Sequence, residues 1–203
     1  MIYLEDSMRI RRGTMRVCYH HPGNPRLIIK VPFQNKKEGK LANTKEMKGY
    51  HDLMRNQVDL NCISHCYGFV STNKGLGLVC DCILDYDGSV SKSIYDIVLY
   101  QELCDVAFVK KIIKDFCDYL LFREIFLFDL NLKNILLRVG SDGSYEPKAI
   151  DLKGRFENYE FIPYASYIKY FARKKMRRRI KQLLDRIEEY HTRRDELRII
   201  DSK

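Results

Sequence analysis

The first part of the chain alternates apolar and polar positions in short stretches divided by turn residues. Met8 to Tyr19 has the pattern of a strand, interrupted at Arg11-Arg12-Gly13-Thr14 and resumed over Met15 to Tyr19. Pro22-Gly23-Asn24-Pro25 is a turn signal, and Arg26 to Val31, with Leu-Ile-Ile-Lys-Val at its centre, predicts a third strand. Thr44 to Met54 predicts a helix with Met47, Tyr50, Leu53 and Met54 on one face. Ile63 to Val70 and Leu76 to Leu84 predict two further strands joined at Ser71-Thr72-Asn73-Lys74-Gly75. Asp85-Tyr86-Asp87-Gly88 then breaks the pattern.

After that break the period changes. Ser93 to Leu103 and Val106 to Phe122 predict helices, the second with Val109, Ile112, Ile113, Phe116, Leu120 and Leu121 at the spacing of a buried face. A polar stretch, Asp129 to Asn134, lies between apolar runs. A short strand over Ile135 to Val139, a turn at Ser141-Asp142-Gly143-Ser144 and a strand ending at Ile150-Asp151 follow. From Tyr164 to about Ile199 the tail predicts one long helix or two. Its stripe of Met176, Ile180, Leu183, Ile187 and Tyr190 suits packing on the parent domain as well as a coiled coil. The expectation is an α+β fold with a boundary after Leu84: residues 1–84 mostly strand with one helix, residues 85–203 mostly helical.

Composition narrows the class. The 203 residues are 45% hydrophobic and 31% charged, enough for a core and without the bias of a disordered chain. No apolar run approaches the length of a membrane span, and Met1 to Arg12 lacks the apolar segment of a secretory signal. Seven cysteines without such a signal are expected to be reduced thiols in a cytoplasmic protein. Cys62, His65 and Cys66 lie close in sequence, but a metal site there lacks a fourth ligand. Of the net charge of +9, residues 164–203 carry +7, from 13 basic and 6 acidic residues. Lys169 to Lys181 alone holds eight basic residues and no acidic one, which suits a solvated face, an acidic partner, a phosphate-rich ligand, nucleic acid or an anionic membrane.

The candidate chemistry centres on Asp129-Leu130-Asn131-Leu132-Lys133-Asn134. Asp129 and Asn134, five residues apart, are followed by Asp151 at a strand end. The order Asp, Asn, Asp is that of kinase chemistry: a base for the attacking hydroxyl, then two oxygen ligands for magnesium on nucleotide phosphates. In the N-terminal part Lys30 lies in an apolar strand, where a lysine is costly unless paired. Glu46 follows it by 16 residues on the first helix. Gly13 would let a hairpin backbone approach a phosphate.

These residues resemble the PhoP-regulatory-network protein family, the YrbL type, whose members resemble protein kinases. The resemblance is carried by Arg12-Gly13-Thr14-Met15-Arg16-Val17-Cys18-Tyr19-His20-His21-Pro22, Ile28-Ile29-Lys30-Val31, Lys45-Glu46 with Tyr50 and Leu53, and Tyr67-Gly68-Phe69-Val70. Gly75-Leu76-Gly77-Leu78-Val79, Tyr86-Asp87-Gly88 and Asp129 to Ile135 complete it. It implies a bilobal protein-kinase-like fold, with a small antiparallel N-lobe over 1–84 and a shortened helical C-lobe over 85–203 that includes the basic C-terminal helix. It implies ATP and Mg2+ as cofactors. Lys30 matches the phosphate-binding lysine, Glu46 its partner, Asp129 the catalytic aspartate, and Asn134 and Asp151 the metal ligands. Asp81 and Cys82 fall where a hinge contacts adenine through its backbone.

Against protein kinases, Leu127-Phe128 replaces His-Arg, Asp151-Leu152-Lys153 replaces Asp-Phe-Gly, the phosphate loop has one glycine, and no Ala-Pro-Glu follows. The expected function is an ATP- and magnesium-dependent phosphotransferase whose acceptor, a small molecule or a protein, is unknown. The alternative is a kinase-like regulatory protein that binds nucleotide without turnover, or binds an acidic partner through its tail. Nucleic-acid binding by Lys169 to Lys181 is a third reading.

Overall fold

The computed structural model describes residues 1–33, 37–55, 60–101, 105–127, 129–152 and 169–201. Several expectations lie outside them: Leu103 as a helix end, the Phe128 position, the turn at Lys153-Gly154 and the tail before Lys169. The described residues form a mixed α+β structure with two antiparallel sheets and five α-helices. They divide into two compact units. One comprises Met1–Leu84 and takes in Asp151 from far along the chain; the other comprises Asp85–Ile150 and the C-terminal helices.

The first unit is a five-stranded sheet with one helix. Its strands are β1 (Arg9–Arg12), β2 (Arg16–His21), β3 (Asn24–Pro32), β4 (Cys66–Thr72) and β5 (Gly75–Asp81), in the order β1-β2-β3-β5-β4. β3 is therefore central, and alternation sends its residues to opposite faces. Ile29 and Val31 join Leu4 and Tyr19 in a buried cluster. Lys30 points the other way, paired in register with Cys18 on one side and Leu78 on the other. That face is covered by helix α1 (Lys37–Arg55), which packs on β3, β4 and β5.

Two details of α1 differ from expectation. It begins seven residues earlier than Thr44, and its buried stripe is Gly39, Asn43, Glu46 and Tyr50, whereas Met54 is half exposed. The early turn carries Gly39, a poor helix former, but a Cβ there would stand 2.8 Å from the Met15 carbonyl and 3.0 Å from Pro32 Cβ. The glycine is what lets the helix lie this close to the sheet. The polar stripe faces inward because the sheet supplies charged partners for it, a condition no hydrophobic pattern records.

In the second unit β6 (Lys92–Ser93), β7 (Ile135–Val139) and β8 (Tyr145–Ala149) form a three-stranded sheet. Helix α2 (Ile94–Tyr100) starts at a capping box: Ser93 Oγ accepts from Asp96 N–H at 3.1 Å, and Asp96 Oδ2 accepts from Ser93 N–H at 3.4 Å. Helix α3 (Val106–Phe122) has the predicted limits and buries Val109, Ile113, Phe116, Cys117 and Leu120. The tail forms α4 (Lys169–Thr192) and α5 (Arg194–Asp201). Ala172, Met176, Ile180, Leu183 and Ile187 of α4 are buried, and the helix packs on α3 and α2. The stripe thus serves packing on its own domain, while Lys174, Arg177, Arg178 and Lys181 face outward. No helix among the described residues is long and apolar enough to cross a membrane.

Candidate functional site

The central strand fixes Lys30, and the inward face of α1 fixes Glu46. Lys30 Nζ lies 2.5 Å from Glu46 Oε1, and the two residues are 4% and 2% exposed. Burial disfavours the ammonium charge, but the Glu46 carboxylate more than offsets it and holds Lys30 above the usual lysine range. The helix is also tied to the strand's backbone, since Asn43 Nδ2 donates to the Lys30 carbonyl at 2.9 Å.

A residue that sequence reasoning did not single out completes this cluster. Arg16, at the start of β2, places Nη1 at 2.9 Å from Asn43 Oδ1 and at 2.5 Å from Glu46 Oε2, while Nη2 pairs with Asp151 Oδ1. Burial opposes its charge, yet Glu46 and Asp151 keep the guanidinium protonated well above its ordinary range. Lys30, Arg16, Glu46 and Asp151 thus form a quartet of two cations and two anions. The available signal was parity: Arg16 and Cys18 alternate in β2, and Cys18 is the register partner of Lys30. Reading it required knowing the register first.

Asp151 has φ 59°, a left-handed conformation that aspartate tolerates better than most side chains but that still costs about 1 kcal/mol. Such strain often sits at functional positions. Gly13 precedes β2, and its N–H donates to the Arg16 carbonyl at 2.8 Å, closing the β1–β2 turn. An added Cβ there would make only ordinary contact, 3.4 Å from that carbonyl.

Asp81 ends β5 and Cys82 follows it. Asp81 N–H donates to the His65 carbonyl at 3.0 Å and Cys82 N–H to the Arg26 carbonyl at 2.8 Å, so both backbone donors are engaged. The Asp81 carboxylate accepts from His65 N–H at 2.8 Å and from the Tyr67 hydroxyl at 2.7 Å, which pushes the Tyr67 pKa up to about 12. His65 Nδ1 is also directed at Asp81, at 3.0 Å, while Cys66 Sγ lies 3.4 Å from Cys80 Sγ. Among the described residues the metal-type grouping is Glu46, Cys66 and Cys80, not Cys62, His65 and Cys66. Both Glu46 oxygens in it already hold cations.

In the second unit the loop from Asp129 is pinned by buried Ile125, Phe126, Leu127, Leu130 and Leu132. Asn131 shapes it: its Oδ1 accepts from Lys133 N–H at 2.9 Å and Asn134 N–H at 3.1 Å, starting a 3-10 turn over Leu132–Asn134. Asn134 Nδ2 donates to the Asp129 carbonyl at 3.5 Å, which leaves its Oδ1 as the oxygen it can offer a ligand. Lys133 Nζ lies over the Tyr95 ring at 4.0 Å. The Asn134 carbonyl accepts from Ile150 N–H at 2.9 Å, and Asp151 is the next residue in the chain.

The structure therefore brings Lys30, Glu46 and Asp151 together through Arg16 in one unit, and Asp129 and Asn134 together in the other. Asp151 and Asn134 each carry a side-chain oxygen, the donor type that hard divalent cations take. Comparison with known proteins gives two similar chains. The uncharacterised protein YrbL of Escherichia coli (strain K12) is 29% identical over 188 residues, covering 91% of this chain and 87% of that one. YrbL of Shigella flexneri matches to the same extent. The model of the PhoP regulatory network protein YrbL family matches residues 2–188, and the chain belongs to that family.

Proposed function

We propose that this protein is an ATP- and magnesium-dependent phosphotransferase of kinase-like fold, acting on a hydroxyl acceptor. The observation that carries the reading is the buried Lys30–Glu46 pair at 2.5 Å, on whose cluster Asp151 converges through Arg16. A lysine at the centre of a sheet, held by a helix glutamate, is a preorganised phosphate-binding cation. Asp151 and Asn134 are the residues that would hold magnesium, which supplies charge neutralisation on the phosphates when bound. Lys30 binds a phosphate oxygen, and Glu46 fixes the direction of its ammonium. Asp129 takes the proton of the acceptor hydroxyl. Catalysis on this reading is mostly positioning, so the rate depends on how rigidly these groups are held.

Calorimetric titration of Mg–ATP, followed by transfer of labelled phosphate in a cell extract, tests it. Wild type should bind and transfer, Lys30→Ala should lose binding, and Asp129→Ala should keep binding but lose transfer. A wild-type protein that binds no Mg–nucleotide ends the proposal.

One observation favours a second reading, nucleotide binding without turnover: Arg16 occupies the carboxylate of Asp151 that a metal would need. The family's link to a regulatory network agrees with it. Stabilisation by nucleotide with no labelled acceptor in any extract would support this reading over the first.

A further inference from the structure

We propose that Arg16 is an internal counter-cation that couples metal and nucleotide binding. It holds Asp151 while no metal is bound, and when a metal takes Asp151 its Nη2 is released to a phosphate oxygen. This rests on the phosphotransferase reading and names a residue and a coupling that the reading does not contain.

The geometry of the guanidinium carries it. Nη1 is anchored on α1, at 2.5 Å from Glu46 Oε2 and 2.9 Å from Asn43 Oδ1. Nη2 alone reaches Asp151. The side chains of Arg16 and Asp151 are 11% and 25% exposed, so the Asp151 end is the one solvent can approach. One half of the fork is fixed and the other is held by the carboxylate that the phosphotransferase reading gives to a metal.

Charge completes the argument. Arg16 and Lys30 carry two positive charges, Glu46 and Asp151 two negative, so the quartet is neutral. A divalent cation arriving alone at Asp151 would face the guanidinium across a site only partly open to solvent, where like charges repel more than in bulk water. A polyphosphate arriving alone would meet Lys30, but an Arg16 still committed to Asp151. Metal and polyphosphate together satisfy everything: the metal takes Asp151, and the freed Nη2 takes the anion. Each ligand removes a cost the other would otherwise bear, which is positive coupling and reciprocal by linkage. A lysine could not act in this way, because it lacks a planar fork that spans two sites.

The test is equilibrium binding, read by calorimetry, of ATP in EDTA and of Mg2+ alone, on wild type, Asp151→Asn, Arg16→Met and the double variant. Asp151→Asn removes the charge that holds Nη2 and leaves only a neutral acceptor there, so metal-free ATP should bind about tenfold or more tightly than to wild type, within the usual range of such couplings. The gain should vanish in the double variant, which makes the interaction a double-mutant cycle. Arg16→Met should bind Mg2+ alone about tenfold more tightly than wild type, because the Arg16 guanidinium no longer competes for Asp151. If Arg16→Met does not fold, the Asp151→Asn arm decides by itself. The proposal is overturned if Asp151→Asn binds metal-free ATP no better than wild type. It is equally overturned if a folded Arg16→Met leaves Mg2+ affinity unchanged. Wild type that binds Mg–ATP while the variants show no coupling sinks only this inference. Wild type that binds no Mg–ATP sinks the phosphotransferase reading and this inference with it.

Discussion

Asn43 and Glu46 stand three residues apart on the inward face of α1, and both accept from the same nitrogen of Arg16, at 2.9 and 2.5 Å. The helix is therefore fixed to the sheet by a polar seam where a hydrophobic one is usual. Buried polar seams are stable only while complete.

That condition gives the first prediction. Glu46→Ala leaves Lys30 and much of Arg16 buried without their shared carboxylate, at 5% and 11% side-chain exposure. Removing one partner of a buried pair costs about 3–5 kcal/mol. Urea denaturation should show a loss of that size, and a double variant Lys30→Met with Glu46→Leu should be less damaged than the single. A Glu46→Ala loss below about 1 kcal/mol would mean that the cluster is hydrated rather than buried.

Gly39→Ala tests the close approach of α1. Alanine favours helix by about 1 kcal/mol over glycine, but its Cβ would lie 2.8 Å from a backbone carbonyl that cannot swing aside. The clash, about 1–3 kcal/mol, should dominate. Net destabilisation is expected, and on the proposed phosphotransferase reading weaker nucleotide binding with it, because α1 carries Glu46. A stabilised variant with unchanged binding would contradict the close approach.

Asn131→Ala removes the acceptor that starts the turn holding Asn134. Loss of such a cap costs about 1 kcal/mol, and Asn131→Asp, which keeps the oxygen, should recover more than half of it. Denaturation midpoints of the two variants check the stability. On the proposed phosphotransferase reading, the affinity for Mg–nucleotide should fall in the alanine variant and much less in the aspartate one.

Alkaline behaviour follows from buried thiols. Burial pushes the Cys82 thiol up to about 11 and the Cys117 thiol up to about 12. A folded pKa above the unfolded value, about 8.5 for a free thiol, favours the fold while pH stays below the unfolded value. That advantage is lost as pH rises through the folded ones. Stability should therefore hold across pH 6–8 on account of these groups and decline between about 9 and 12. Alkylation at pH 8 should leave Cys82 and Cys117 unmodified in the native protein and label both in urea. Rapid native labelling of either would refute the burial.

Much of this molecule was legible in the chain. Alternation placed the strands of the first unit to within a few residues, because β2 to β5 each turn residues into the core; β1, which buries none, was found from its place before the turn. The period of α3 and the stripe of α4 were equally plain, since both helices bury aliphatic side chains. Lys30 stood out because a charge in a buried strand demands a partner, and Glu46 is that partner at 2.5 Å. The polar loop between apolar runs likewise proved to be a turn organised around Asp129, Asn131 and Asn134.

Tertiary structure decided the rest. The start of α1 was hidden because its glycine is selected by a neighbouring carbonyl, not by helix propensity. The inward stripe of Asn43 and Glu46 was hidden because polar residues read as exposed until their partners are known. Arg16 was hidden because strand register, a long-range property, determines which face a residue shares with Lys30. Local sequence sets which residues can be buried; only the fold sets which charges they are buried with.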